Sequence, residues 1–149
     1  MRGAAPSIPR FAVMLGIAGL LPQVAALLMT FTEAHRYTGL AAGFFYAALI
    51  FSFLGGLWWG VAATRQNAPE WLFVAAVVPS LIAFASGLPW MTGGTWPGPS
   101  LACLGVGILA SALIDRAMFK KALIDRSLLH LRYGLSFGLG SLTLLLAVR

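Results

Sequence analysis

The feature that most constrains this chain is a succession of apolar runs, each about as long as a bilayer is thick, separated by short polar segments. A helix needs about 20 apolar residues to cross the hydrocarbon core. The sequence therefore predicts one all-α domain over residues 1–149, a polytopic membrane bundle of five transmembrane helices. The predicted helices cover residues 11–31, 39–64, 70–88, 100–118 and 128–148.

The composition agrees with this class of protein. Hydrophobic residues make up 60% of the 149 residues and charged residues only 9%, against about a quarter charged in an average soluble domain. A soluble core of this size could not cover so much apolar surface. The run that begins at residue 11 exceeds the apolar core of a signal peptide, so we expect it to be retained as the first span.

The basic residues predict the orientation of the bundle. Eight of the ten Lys and Arg residues fall on the side that holds the N-terminus and the segments 65–69 and 116–127. Basic loops stay in the cytoplasm, so the N-terminus is predicted inside and the C-terminus outside. These loops also account for the net charge of +6, and no nucleic-acid binding is expected. The eight are Arg2, Arg10, Arg65, Arg116, Lys120, Lys121, Arg126 and Arg132, and the other two are Arg36 and Arg149.

Small residues recur at four-residue intervals along the predicted helices, most clearly from position 48 to position 64. Such a stripe lets two helix backbones approach closely in lipid. Two interpretations stay open, packing within the chain and homodimerisation through one stripe. The candidate helix-packing residues are Ser52, Gly55, Gly56, Gly60, Gly107, Gly134 and Gly138.

Two prolines fall near the middle of predicted spans, each followed by a polar residue: Pro22-Gln23 and Pro79-Ser80. A proline inside a helix removes one hydrogen bond and frees a carbonyl group. Broken helices that meet at the midplane form the ligand sites of many transporters. The pattern therefore indicates a candidate midplane ligand site, and a simple kink is the alternative.

Groups that carry chemistry are scarce. No Asp, Glu, Lys, Arg or His falls in the middle of a predicted span, where an ionisable residue would mark an ion or proton path. The two histidines, His35 and His130, are predicted at opposite membrane faces, and Cys103 is the only cysteine. We therefore expect no enzyme activity, no cofactor and no metal site.

Asp115 is the most informative charge, because it falls near the inner end of the fourth predicted helix. Arg132 lies at the inner end of the fifth helix, which is joined to the fourth by a short connection. A carboxylate at partial membrane depth needs a basic partner. The sequence predicts a structural ion pair between Asp115 and Arg132, with Arg65 as the alternative partner.

The segment Ser52–Gly60, which reads SFLGGLWWG, resembles the signature of a small membrane-protein family of unknown function that includes transmembrane protein 69. The resemblance implies a bacterial or mitochondrial inner-membrane setting and no established reaction. Further matching positions follow in similar order, namely Gly19-Leu20-Leu21-Pro22, Pro79-Ser80-Leu81, Asp115 and Leu131-Arg132.

The function favoured by this sequence is that of an accessory subunit or assembly partner of a membrane complex. Its expected partners are the lipid bilayer and either other membrane subunits or a second copy of itself. The alternative is a dimeric small-solute carrier, or a lipid- or quinone-binding protein that uses the Pro22 and Pro79 region. The expected location is the bacterial inner (cytoplasmic) membrane, which the chain would cross several times.

Overall fold

The structure, a computed structural model, describes residues 8–94 and 97–149 and contains only helices over these ranges. The all-α class is thereby confirmed. Arg2, one of the eight basic residues used to predict orientation, lies outside the described ranges. The helical segments are α1 (Arg10–Ala18), α2 (Leu21–Met29), α3 (Glu33–Thr64), α4 (Trp71–Met91), α5 (Gly98–Lys120) and α6 (Arg126–Ala147).

The first predicted span is broken into α1 and α2, which corrects the single helix expected over residues 11–31. The break falls at Gly19 and Leu20, just before Pro22 at the start of α2. Pro22 has no N–H, and its ring excludes the carbonyl group four residues earlier. At the break, the Tyr46 hydroxyl of α3 donates a hydrogen bond to the Gly19 carbonyl oxygen. Together α1 and α2 have the length of one span, so the bundle has five long helices.

The other boundaries differ from the predictions by a few residues. The largest difference is at α3, which begins at Glu33 rather than at residue 39 and reaches about 48 Å in length. The polar residues after α2 therefore form the first turn of α3 instead of a long loop. Helix α4 continues through Pro89 to Met91, because a proline in the last turn removes only one terminal hydrogen bond.

The connection between α5 and α6 is a tight turn at Ala122, which has a φ of 54°. The Leu123 N–H donates to the Met118 carbonyl at 3.0 Å, and the Ala122 N–H donates to the Phe119 carbonyl at 2.9 Å. This pair of bonds is the Schellman motif, in which glycine usually occupies the left-handed position. The turn makes α5 and α6 antiparallel neighbours.

Four of the described helical units are long and apolar enough to cross a membrane: Arg10–Met29, Glu33–Thr64, Trp71–Met91 and Gly98–Lys120. The fifth long helix, α6, has 22 residues, which is also the length of a span. Its mean hydropathy is lower than that of the four other units because His130, Arg132 and several glycines and hydroxyl residues lie between its leucines.

Helix α6 packs on α5 and also contacts α1, α2 and α3. Helix α3 packs against α4 on one side and α2 on the other. One end of the bundle, which we call the basic end, is formed by the end of α3, the start of α4, the end of α5 and the start of α6. Its cations are Arg65, Arg116, Lys120, Lys121 and Arg126.

Candidate functional site

A buried ion pair lies near the basic end, between α5 and α6. Arg132 Nε is 2.8 Å from Asp115 Oδ1, so the structure brings together the two residues that the sequence pairs. Asp115 is fully buried and Arg132 is only 5% exposed. Arg132 sits six residues after the start of α6, about 9 Å along the helix.

Trp58 of α3 completes this group, which we call the Trp58–Asp115–Arg132 cluster. Its indole N–H donates to the same Asp115 Oδ1 at 2.9 Å. Sequence reasoning missed Trp58, although a buried indole N–H in lipid needs an acceptor and Asp115 is the carboxylate nearest in depth. The cluster thus ties α3, α5 and α6 together through one carboxylate oxygen.

The cluster leaves hydrogen-bonding capacity unused. The Arg132 Nε–H is not aligned with Oδ1, so the contact is an ion pair rather than a directed hydrogen bond. Within the described chain, Asp115 Oδ2 and Arg132 Nη2 are buried and have no hydrogen-bond partner. Buried polar groups without partners are uncommon and indicate a missing water, ion or ligand.

The buried face of α6 continues as a column of hydroxyl groups beyond Arg132. Ser136 Oγ lies 3.3 Å from Ser111 Oγ of α5, and the Ser111 hydroxyl is 2.6 Å from the Ile108 carbonyl oxygen. Farther along, Thr143 accepts a hydrogen bond at 3.0 Å from the Gln23 side-chain amide. These polar contacts stabilise α6 on the face that is buried inside the bundle.

A cavity of about 290 Å³ lies between α1, α3 and α6, next to the cluster. Its walls are mostly leucine and isoleucine side chains, so it is an apolar space inside a membrane bundle. Arg132 lines the cavity, and its buried Nε and Nη2 have no hydrogen-bond partner among the described residues. The lining includes Leu15, Tyr46, Leu54, Arg132, Leu135 and Ser136.

Among the described polar side chains that line the cavity, Arg132 is the one whose hydrogen-bond donors have no acceptor. The Tyr46 hydroxyl gives its hydrogen to the Gly19 carbonyl. Ser111 gives its single hydrogen to Ile108, so Ser136 must donate to Ser111 and can only accept from anything else. Among the described residues, the mostly apolar lining of the cavity therefore includes one cationic side chain with unused donors.

Within the chain, the structure packs only part of the predicted stripe of α3. Gly56 and Gly60 are exposed, and an added Cβ at either would meet no atom within 4 Å. The same is true of Gly134 in α6. Gly55 is the glycine at the helix crossing, because an added Cβ there would fall inside 3.0 Å of the Ala76 carbonyl oxygen of α4. The buried stripe lies one residue away from the predicted one.

The other two predicted glycines do lie against neighbours. A Cβ at Gly107 would be 2.7 Å from the Phe51 ring, and one at Gly138 would be 3.0 Å from a Leu20 methyl group. Ser52 contacts α4 through its side chain, since its hydroxyl is 2.7 Å from that of Ser80.

The predicted midplane ligand site is not assembled as one site. Pro79 and Ser80 lie against α3, where they contact Gly55 and Ser52 respectively. Gln23 is instead fully buried against α6, and Pro22 is exposed to the surroundings of the bundle. The two pairs are therefore separated, since Gln23 of α2 bonds to α6 whereas Pro79 and Ser80 of α4 contact α3.

No group of three or more His, Cys, Asp or Glu side chains that could hold a metal ion occurs in residues 8–94 and 97–149. His35 lies in the first turn of α3, at the end of the bundle opposite His130 in α6. The part of the chain that the structure describes thus offers the Trp58–Asp115–Arg132 cluster and the adjoining cavity as its candidate site.

Comparison with known proteins supports the resemblance seen in the sequence. Transmembrane protein 69 of Xenopus tropicalis is 40% identical over 80 residues, which cover 51% of this chain and 32% of that protein. The match thus spans about a third of the length of that relative. No solved structure matches the chain. A family model described as "Protein of unknown function (DUF3429)" matches residues 8–148. Since these residues are nearly the whole chain, this multi-span membrane protein belongs to the DUF3429 family.

Proposed function

We propose that this protein binds an amphiphilic molecule of the bilayer in the cavity between α1, α3 and α6, without catalysing a reaction on it. The observation that carries the proposal is the unused donor of buried Arg132 on the wall of an apolar cavity. A cavity of mostly apolar lining with one convergent polar group is the usual form of a small-molecule site. The geometry favours this alternative over the accessory-subunit hypothesis.

The cavity has an entrance that suits a ligand from the membrane. Leu15 of α1 and Phe53 of α3 line it and are 57% and 65% exposed, so its rim faces the lipid. Helix α1 has no buried residue and contacts mainly α6. It is therefore the least firmly held wall, and its displacement would admit a ligand sideways from the bilayer.

Native mass spectrometry of protein purified in mild detergent tests this function. We expect a co-purifying amphiphile at about one per chain. Leu54→Trp, which puts an indole into the cavity, should abolish the adduct. Leu49→Trp is the matched control, because Leu49 lies on the same helix and is 68% exposed outside the cavity. Retention of the adduct in Leu54→Trp would place the ligand elsewhere.

A second candidate function, the accessory subunit, rests on the unoccupied face of α3 at Gly56 and Gly60. Close packing of another membrane helix requires such small residues. This helix would belong to a different subunit or to a second copy of the chain. The same mass spectra would then show a bound polypeptide in place of an amphiphile, and Gly56→Leu should release it.

The proposed setting is the bacterial inner membrane, with α6 as the fifth span, the N-terminus in the cytoplasm and the C-terminus outside. Support comes from the basic end, which gathers most of the exposed Lys and Arg residues on one face. Reporter fusions after Ala68 and Lys121 should report the cytoplasm. Fusions after Gly94 and Arg149 should report the outside. A cytoplasmic reporter at Arg149 would mean that α6 does not cross.

A further inference from the structure

We propose that the ligand carries an uncharged carbonyl head group, of the kind found in a quinone, and that the Arg132 guanidinium donates the hydrogen bond that holds it. This inference rests on the proposed function and names the chemical class of the ligand. It follows from three properties of the site: the donors available, the charge already present and the size of the cavity.

The donors available select an acceptor. Arg132 Nη2 is buried and has no acceptor among the described residues. The hydroxyls of Tyr46 and Ser136 already give their hydrogens to Gly19 and Ser111. A head group that had to donate would find hydroxyl oxygens but would leave the arginine unsatisfied. A head group that accepts gives the Arg132 guanidinium a hydrogen-bond partner.

The Asp115 carboxylate, which already balances the charge of Arg132, favours a neutral head group over an anionic one. The positive charge of Arg132 is balanced by Asp115, whose Oδ1 lies 2.8 Å from Nε. A phosphate or carboxylate head group would bring an uncompensated negative charge into an apolar, buried space, which is costly. A carbonyl oxygen fills the same donor without changing the charge of the site.

The size of the cavity selects a compact head group. Its volume of about 290 Å³ is at the lower end of the range for small-molecule sites, roughly 300–1,000 Å³. A single substituted ring fits this space, and an apolar tail would leave it between Leu15 and Phe53 toward the lipid. A diacyl phospholipid would have to leave most of its bulk outside.

Three probes with tails of similar length test the inference by titration of the delipidated protein in detergent, followed by native mass spectrometry. They are decylubiquinone, decylbenzene without a carbonyl, and anionic dodecyl phosphate. We expect decylubiquinone to bind about tenfold more tightly than either of the others, the effect of one hydrogen bond to a charged group. Leu54→Trp should weaken all binding, and Leu49→Trp should change none.

The double variant Asp115→Leu/Arg132→Met removes the donor together with its counter-charge, so no lone buried charge remains. It should bind decylubiquinone and decylbenzene to within about twofold of each other. Arg132→Lys provides a second test, because lysine keeps the charge opposite Asp115 but lacks the forked nitrogens, and it should also lose most of the preference.

The outcomes separate the inference from the proposed function. Equal binding of decylubiquinone and decylbenzene to the unaltered protein would overturn the carbonyl head group and leave the cavity as a binding site. Tighter binding of dodecyl phosphate would overturn it in favour of an anion. Binding of none of the probes would overturn the proposed function itself. An unchanged tenfold preference in Arg132→Lys and in the double variant would remove Arg132 from recognition.

Discussion

Gly55 and Gly56 are adjacent in the sequence, yet the structure places them in opposite surroundings, which permits a matched pair of substitutions. A Cβ at Gly55 would fall inside 3.0 Å of the Ala76 carbonyl oxygen, 3.3 Å from the carbonyl carbon and 3.4 Å from Pro79 Cγ. A Cβ at Gly56 would meet nothing within 4 Å. We therefore expect Gly55→Ala to destabilise the bundle and Gly56→Ala to leave it unchanged or slightly more stable.

The magnitude follows from the kind of atom that is met. The atoms nearest to the new Cβ at Gly55 belong to the backbone of α4, so the strain cannot be relieved by turning a side chain. Overpacking of this kind costs about 1–3 kcal/mol. Replacing glycine by alanine within a helix also contributes roughly 1 kcal/mol of stabilisation. This gain is common to both variants, so the difference between them isolates the steric cost of about 1–3 kcal/mol.

The assay is reversible unfolding in mixed micelles by added sodium dodecyl sulfate, followed by circular dichroism. The free energies of unfolding of the two variants are compared at the same detergent composition. Equal stabilities would mean that α3 and α4 do not cross at Gly55. A greater loss in Gly56→Ala would place the helix contact on the face predicted from the sequence.

Three further predictions concern other contacts and use the same unfolding assay. Asp115→Ala and Arg132→Ala should each lower the free energy of unfolding by about 3–5 kcal/mol, because each leaves a buried charge without its partner. The double variant should lose less than the sum of the two. Additive losses would contradict the pairing. Trp58→Phe should cost about 1–3 kcal/mol by removing the indole donor of Asp115, whereas Trp59→Phe at the 49% exposed neighbour should stay within about 0.5 kcal/mol. Ala122→Gly should stabilise the chain by about 1 kcal/mol, since alanine is strained at a φ of 54°; a loss of stability would mean that this turn is not left-handed.

The helices could be predicted from the sequence because each apolar run has the length of a span, but the face of α3 that packs could not. Two ladders of four-residue spacing lie side by side in this helix. One consists of small residues from 48 to 64, and its spacing predicts that this face packs against another helix. The other runs through Gly39, Gly43, Ala47, Phe51 and Gly55, all of them buried. Adjacent positions differ by about 100° around a helix, and only the neighbouring helices decide which ladder is covered.

The same distinction applies to the candidate site. Asp115 and Arg132 could be paired from the sequence, because a short connection brings the ends of consecutive helices together. The cavity could not be predicted, since it depends on where the break at Gly19 directs α1 relative to α3 and α6. Trp58 could have been added by asking which donor at the depth of Asp115 lacked an acceptor.

The hydrogen bond between Gln23 and Thr143 joins residues 120 positions apart, and it has a consequence for how the chain is made. Gln23 lies in α2, and Thr143 lies in α6, which is synthesised after the intervening helices. Until α6 has been synthesised, the amide of Gln23 lacks the acceptor that it has in the folded chain, and a polar group without a partner is costly in the hydrocarbon region. The contact between α2 and α6 that this hydrogen bond makes can therefore form only after α6 has been synthesised. A chain that stops before α6 leaves the Gln23 amide without its Thr143 acceptor.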